Sequence, residues 1–194
     1  MNIEIYNNYV QELIDKAKLI SYPQVYDGSN YLYFLPIYEK LTNNCYCYSL
    51  GFKVNSMARK LFRPGWISNY AFYKSSPKEK GCFLPKYETK QQFIEAVLKD
   101  IEILKISYDV ITTKLNSSEV NDLSLQCIDE QSSIIIAGTG DLEKGEFHFV
   151  RSDLGGFSHK LGWHYPPEQI ENIEGAFNQI NCEPCLILRL KNHK

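Results

Sequence analysis

From Glu146 to Lys160 the chain alternates apolar and polar residues on either side of Leu154-Gly155-Gly156. A period of two broken by a glycine pair commits this stretch to an antiparallel hairpin. In the first arm, Glu146-Phe147-His148-Phe149-Val150-Arg151, the residues Phe147 and Phe149 share one face and His148 and Val150 the other. The second arm, 156–160, carries His159. Turn parity decides whether the two histidines meet. A two- or four-residue turn centred between Asp153 and Leu154 sets His148 opposite His159, and a shift of two leaves them diagonal on one face. A turn centred on Leu154 itself sends them to opposite faces.

The rest of the chain supplies partners for this hairpin. Ser133-Ile134-Ile135-Ile136-Ala137-Gly138 reads as a buried strand, followed by a turn over Gly140–Gly145. Pro184 to Leu190 reads as a closing strand. Thr89 is an N-cap for a helix over 90–106, with Phe93, Ala96, Val97, Ile101 and Leu104 as its buried stripe. Apolar spacing predicts a first helix over 3–20, ended by Ser21-Tyr22-Pro23, and a last one from Glu168 to Gln179. Tyr31–Leu35 is a short extended run, Arg63-Pro64-Gly65-Trp66 a turn, 75–81 an exposed loop and 114–122 a connection. Helices first and an antiparallel sheet after them give an α+β class, and 194 residues suggest one domain over 1–194.

Bulk properties narrow the function. A net charge of -2 provides no basic field for nucleic acid, and no apolar run is long enough to span a bilayer. The first residues lack the basic and then apolar regions of a secretory signal. Six cysteines in such a chain read as free thiols in a reducing compartment. The expectation is a cytoplasmic protein, with export to a host or neighbouring cell without a cleavable signal left open.

The chemistry centres on Asn43-Asn44-Cys45-Tyr46-Cys47-Tyr48. Asn44 is a good N-cap, which sets Cys45 at the first helical position, where unpaired N–H groups favour thiolate and can receive an oxyanion. The alternation of Cys and Tyr fits a strand as well. In a strand Cys45 and Cys47 point the same way, and in a helix they point apart. Only the helix gives one activated thiol. With His148 to take its proton and His159 to orient His148, Cys45 completes a nucleophilic triad; Asp153 is the competing orienter.

These segments resemble a family of mostly uncharacterised bacterial proteins. That family has an Asn-Cys-Tyr-x-Tyr-x-Leu element, here Asn44–Leu50, and a later His-aromatic…Ser-His-Lys-x-Gly element, here His148–Gly162. Phe147 and Val150 stand where the family has tyrosines, and neither change removes a reactive group. The arrangement is more distantly similar to NlpC-type cell-wall peptidases and the lecithin-retinol acyltransferases of the papain-like superfamily. The resemblance implies a papain-like core with N-terminal helices on an antiparallel sheet, and Cys45, His148 and His159 as nucleophile, base and orienter. It implies a peptide, isopeptide or acyl-amide substrate, with hydrolase or acyltransferase outcomes both open.

Three other readings compete. Cys45, Cys47, Cys182 and Cys185 could gather a zinc ion, although CxC is an unusual knuckle and Cys185 leads into an apolar strand. A thioredoxin-like role for Cys182 and Cys185 needs a helix where Leu186-Ile187-Leu188 reads as strand. A non-catalytic module would use Tyr46, Tyr48, Trp66, Trp163 and Tyr165 as an aromatic groove for a ligand or protein partner. The favoured reading needs no metal and no cofactor.

Overall fold

Three consecutive isoleucines, Ile134 to Ile136, must point to both sides of any strand they form, and strand β2 (Ser132–Thr139) is buried along its whole length. The computed structural model describes residues 44–50, 63–65, 68, 87–115, 120, 132–153, 156–161 and 167–191. The helix read at 3–20, the run Tyr31–Leu35, the loop at 75–81 and most of the connection at 114–122 lie outside them. Among the described residues the architecture is α+β. The other strands are β1 (Tyr108–Thr112), β3 (Phe147–Asp153), β4 (Gly156–Lys160), β5 (Pro167–Ile170) and β6 (Glu183–Lys191). They form one antiparallel sheet in the order β1-β6-β2-β3-β4-β5, so β2 lies inside it.

Alternation along each strand divides the core between two faces. Ile135, Ala137, Phe149, Leu186 and Leu188 pack with the helices α1 (Cys45–Ser49) and α2 (Lys90–Ile103) on the front. Ile134, Ile136, Val150, Phe157 and Ile187 pack with α3 (Ile173–Asn178) on the back. Thr89 Oγ1 accepts from Gln92 N–H at 3.2 Å to start α2. That helix turns Phe93, Ile94, Val97 and Ile101 inward and ends three residues short of the expected 106. Lys105 then takes a left-handed φ of 56°, a conformation that stops a helix. Among the described residues no helix is long and apolar enough to cross a membrane.

One expected element forms differently. The predicted helix from Glu168 to Gln179 is a strand followed by a short helix. Pro167 to Ile170 pairs with β4, and Asn172 then caps α3 by accepting from Gly175 N–H at 3.2 Å. Pairing to an exposed edge overrides a local helical pattern there. Strand β1, paired to the edge of β6, falls in a stretch for which sequence reading assigned no element. The hairpin pairs Asp153 with Gly156, with two residues of the chain between them, and Gly156 takes a φ of 123°. Val150 is therefore opposite His159, which leaves His148 diagonal to His159 on the same face.

Candidate active site

Asn44 has the extended backbone of an N-cap, and its Oδ1 accepts from Cys47 N–H at 2.9 Å. Its carbonyl accepts from Tyr48 N–H at 3.0 Å, so Cys45 is the first residue of α1. A five-residue helix cannot hold itself together in isolation. Its tyrosines anchor it. The Tyr46 ring lies 4.9 Å from that of Phe149, and its hydroxyl donates to Asp100 Oδ2 at 3.1 Å. Tyr48 Oη and Ser158 Oγ on β4 are 2.8 Å apart. Arg151, from the front of β3, donates to the Ser49 carbonyl at the other end of the helix. Tyr46 and Tyr48 are buried, which corrects the groove reading for both. Trp66, Trp163 and Tyr165 lie outside the described residues.

The same contacts fix the thiol. Glu146 bonds toward β2 through its carbonyl, so Phe147 and Phe149 direct their peptide groups the other way, toward β4. The last register pair between β3 and β4 is Val150 with His159. Beyond it, Cys45 Sγ lies 4.0 Å from the Phe147 carbonyl and faces the Phe149 N–H. The sulfur therefore sits against the peptides flanking His148. The expected activation by the helix start is reversed. Burial pushes the thiol up to about 12, and the N–H groups of Phe149, Tyr46 and Cys45 only partly oppose it. Cys47, two residues on, is likewise raised by burial.

His148 and His159 meet on the back. His148 Nε2 and His159 Nδ1 are 2.9 Å apart, with the rings perpendicular and only 2% and 1% exposed. Phe177 of α3 stacks edge-on against His148, its centroid 5.5 Å away. Gly138 makes that approach possible, since a Cβ there would meet the Phe177 ring at 2.5 Å and the Glu183 carbonyl at 2.6 Å. Burial, with His159 adding to it, holds the His148 imidazole down at about 3, so it is neutral at ordinary pH. His159 continues to Glu168 on β5, where Nε2 and Oε1 are 2.8 Å apart. Among the described residues no hydrogen bond joins the Cys45 thiol to either imidazole; its partner is the Phe147 carbonyl. Asp153 closes the hairpin by pairing with Gly156.

Two carboxylates in this arrangement were missed in the sequence. Glu168 left no local signal, because its role depends on β5 pairing with β4. Asp100 did leave one, as a carboxylate on the stripe of Phe93, Val97 and Leu104. It accepts from Tyr46 Oη, from Gly65 N–H at 2.7 Å and from Ser68 N–H at 2.8 Å, fastening the 63–65 turn to α1. Burial still raises it to about 7. Tyr87 Oη donates to the Pro64 carbonyl, and Arg63 reaches the Gly145 carbonyl at 3.3 Å.

The four-thiolate site does not form. Among the described residues no cluster of three or more histidine, cysteine or acidic side chains is placed to hold a metal. Cys182 precedes β6 and Cys185 lies within it, so no helix follows the second cysteine. No known protein family, curated protein or solved structure matches the chain.

Proposed function

We propose that this chain is a cysteine-nucleophile amide hydrolase with a papain-like core, in which Cys45 is the nucleophile, His148 the base and His159 the orienter. One observation carries the reading. An Asn44-capped helix start brings the Cys45 sulfur against the peptide leading into His148, while His148 is itself hydrogen-bonded to His159. Because the thiol rests protonated and the imidazole neutral, the pair is not a preformed thiolate and imidazolium. Proton transfer accompanies attack: sulfur bonds to the substrate carbonyl carbon as His148 takes the thiol proton.

The resulting oxyanion draws on the N–H groups beside the sulfur, those of Tyr46 and Phe149, while Asn44 Oδ1 is engaged in the cap. Collapse breaks the C–N bond, and His148 returns the proton to the departing amine. Water then cleaves the thioester, and an acceptor amine or alcohol in its place would make the same chemistry a transfer. Catalytic contacts in a resting site are often long and tighten with substrate, which fits a thiol now held by a main-chain carbonyl. Peptides, isopeptides and acyl amides are the substrates this chemistry takes.

A binding module without catalysis is the second reading, favoured by the 4% exposure of Cys45 and its firmly protonated thiol. Alkylation separates the two. With iodoacetamide at pH 7 and mass-spectrometric mapping of all six cysteines, the enzyme reading expects Cys45 to label fastest. It expects His148→Ala to slow that labelling by roughly 100-fold, the scale of a general base. Slow, uniform labelling indifferent to His148 would leave the binding module.

A further inference from the structure

The geometry points to Glu168 as a positioning residue whose carboxylate sets the direction of the whole imidazole chain, leaving His148 Nδ1 as the unprotonated nitrogen. The inference rests on the reading of His148 as base, and it identifies which atom of that base works. A carboxylate oxygen can only accept, so the 2.8 Å contact places the proton of His159 on Nε2. With His159 a neutral imidazole, which carries one N–H, its Nδ1 is an acceptor. The nitrogen facing it at 2.9 Å, His148 Nε2, must then be the donor. His148 is left with a lone pair on Nδ1, the ring nitrogen nearer its own main chain. The Cys45 sulfur reaches the carbonyl of Phe147, the residue before His148.

Glu168 suits the task because it joins the inside of the protein to the outside. Its side chain is about half exposed, whereas both imidazoles are buried. Register holds it in place: Glu168 is the residue of β5 directly opposite His159. The two strands thus deliver an acceptor to the outer end of the chain without any loop. A donor at the same position reverses every bond. His159 Nε2 would accept, His159 Nδ1 would donate to His148 Nε2, and the His148 proton would move to Nδ1, where it blocks the base.

The test reads tautomers directly. Long-range proton–nitrogen spectra of ring-labelled protein at pH 7 are expected to show His148 and His159 both protonated on Nε2. Glu168→Gln keeps an acceptor oxygen, so it preserves that pattern and keeps Cys45 alkylation within about threefold of wild type. Glu168→Lys places a donor there, moves both protons to Nδ1, and slows Cys45 alkylation at least about tenfold, as a wrong-tautomer base does. Glu168 is on an edge strand and partly exposed, and circular dichroism checks that both variants fold. Wild-type His148 protonated on Nδ1, or tautomers unmoved by Glu168→Lys, would overturn the inference. Tautomers that reverse while alkylation stays constant would uphold Glu168 as the orienting group and sink the reading of His148 as base.

Discussion

Among the described residues each face of strand β3 carries a buried ionisable network, and the two are built oppositely. On the front, Phe147, Phe149 and Arg151 meet α1 and α2, and the ionisable centre is an acid, Asp100, ringed by N–H and O–H donors. On the back, His148 and Val150 meet α3, and the centre is a base, bonded to a second imidazole and then to a carboxylate at the surface. Burial disfavours charge of either sign, so it raises the acid and lowers the base. The front network fastens a turn onto a helix, and the back network runs outward to solvent. The Cys45 sulfur meets the backbone of β3, the strand that both faces share.

The largest effect belongs to the front. Phe149 is fully buried, with its ring centroid 4.9 Å from that of Tyr46, 6.0 Å from Phe147 and 6.2 Å from Phe93. Phe149→Ala removes the centre of that tier and is expected to cost about 3–5 kcal/mol in urea unfolding. A loss under about 1 kcal/mol would mean that the front core is not where the stability lies.

Next in size is a pair of opposite pH slopes, each on the order of a few kcal/mol, since a tenfold change in proton affinity is about 1.4 kcal/mol. Asp100 is raised from 3.8 to about 7. Its contribution is complete below about 4 and is lost as pH rises to about 7, because the unfolded chain releases that proton first. His148 is lowered from 6.5 to about 3. Its contribution is complete above about 6.5 and is lost as pH falls toward 3, because the unfolded chain takes up a proton that the folded one refuses. The two offset one another between about 4 and 6.5. Asp100→Asn should therefore expose stability that climbs with pH through that window, and His148→Ala stability that falls through it. Urea titrations at half-unit steps check the signs, and parallel profiles for the two variants would end the contrast between the faces.

How much of this could be read from the chain follows the range of the forces involved. The hairpin was legible because alternation is local, and α2 because Thr89 and the stripe from Phe93 to Leu104 lie on one helix. Asn44 as a cap was legible for the same reason. Strand β5 was not, since Glu168 and Gln169 are polar and become strand only by pairing with β4. Strand β1 was missed because it is an edge whose Val110 is 44% exposed, which leaves little pattern to detect. The ionisation of Cys45 was misjudged because the helix start acts over one turn, whereas burial is set by the whole core. Asp100 should have been caught, as a charge on an apolar stripe asks for partners.

The smallest effect bears most directly on whether the two faces are independent. Asn44→Ala deletes the oxygen that accepts from Cys47 N–H, and a lost cap costs about 1 kcal/mol. Asn44→Ser keeps an acceptor and should recover most of that. The local result is a looser first turn of α1, which lets the Cys45 sulfur move off the Phe147 carbonyl. Across the strand nothing should change: the His148–His159 bond depends on β3, β4 and Phe177, none of which Asn44 touches through its cap. Alkylation of Cys45 should therefore shift in Asn44→Ala while the imidazole nitrogen resonances stay fixed. If those resonances move as well, the thiol is mechanically coupled to the back network through the backbone of His148, and the two faces act as one site even before substrate arrives.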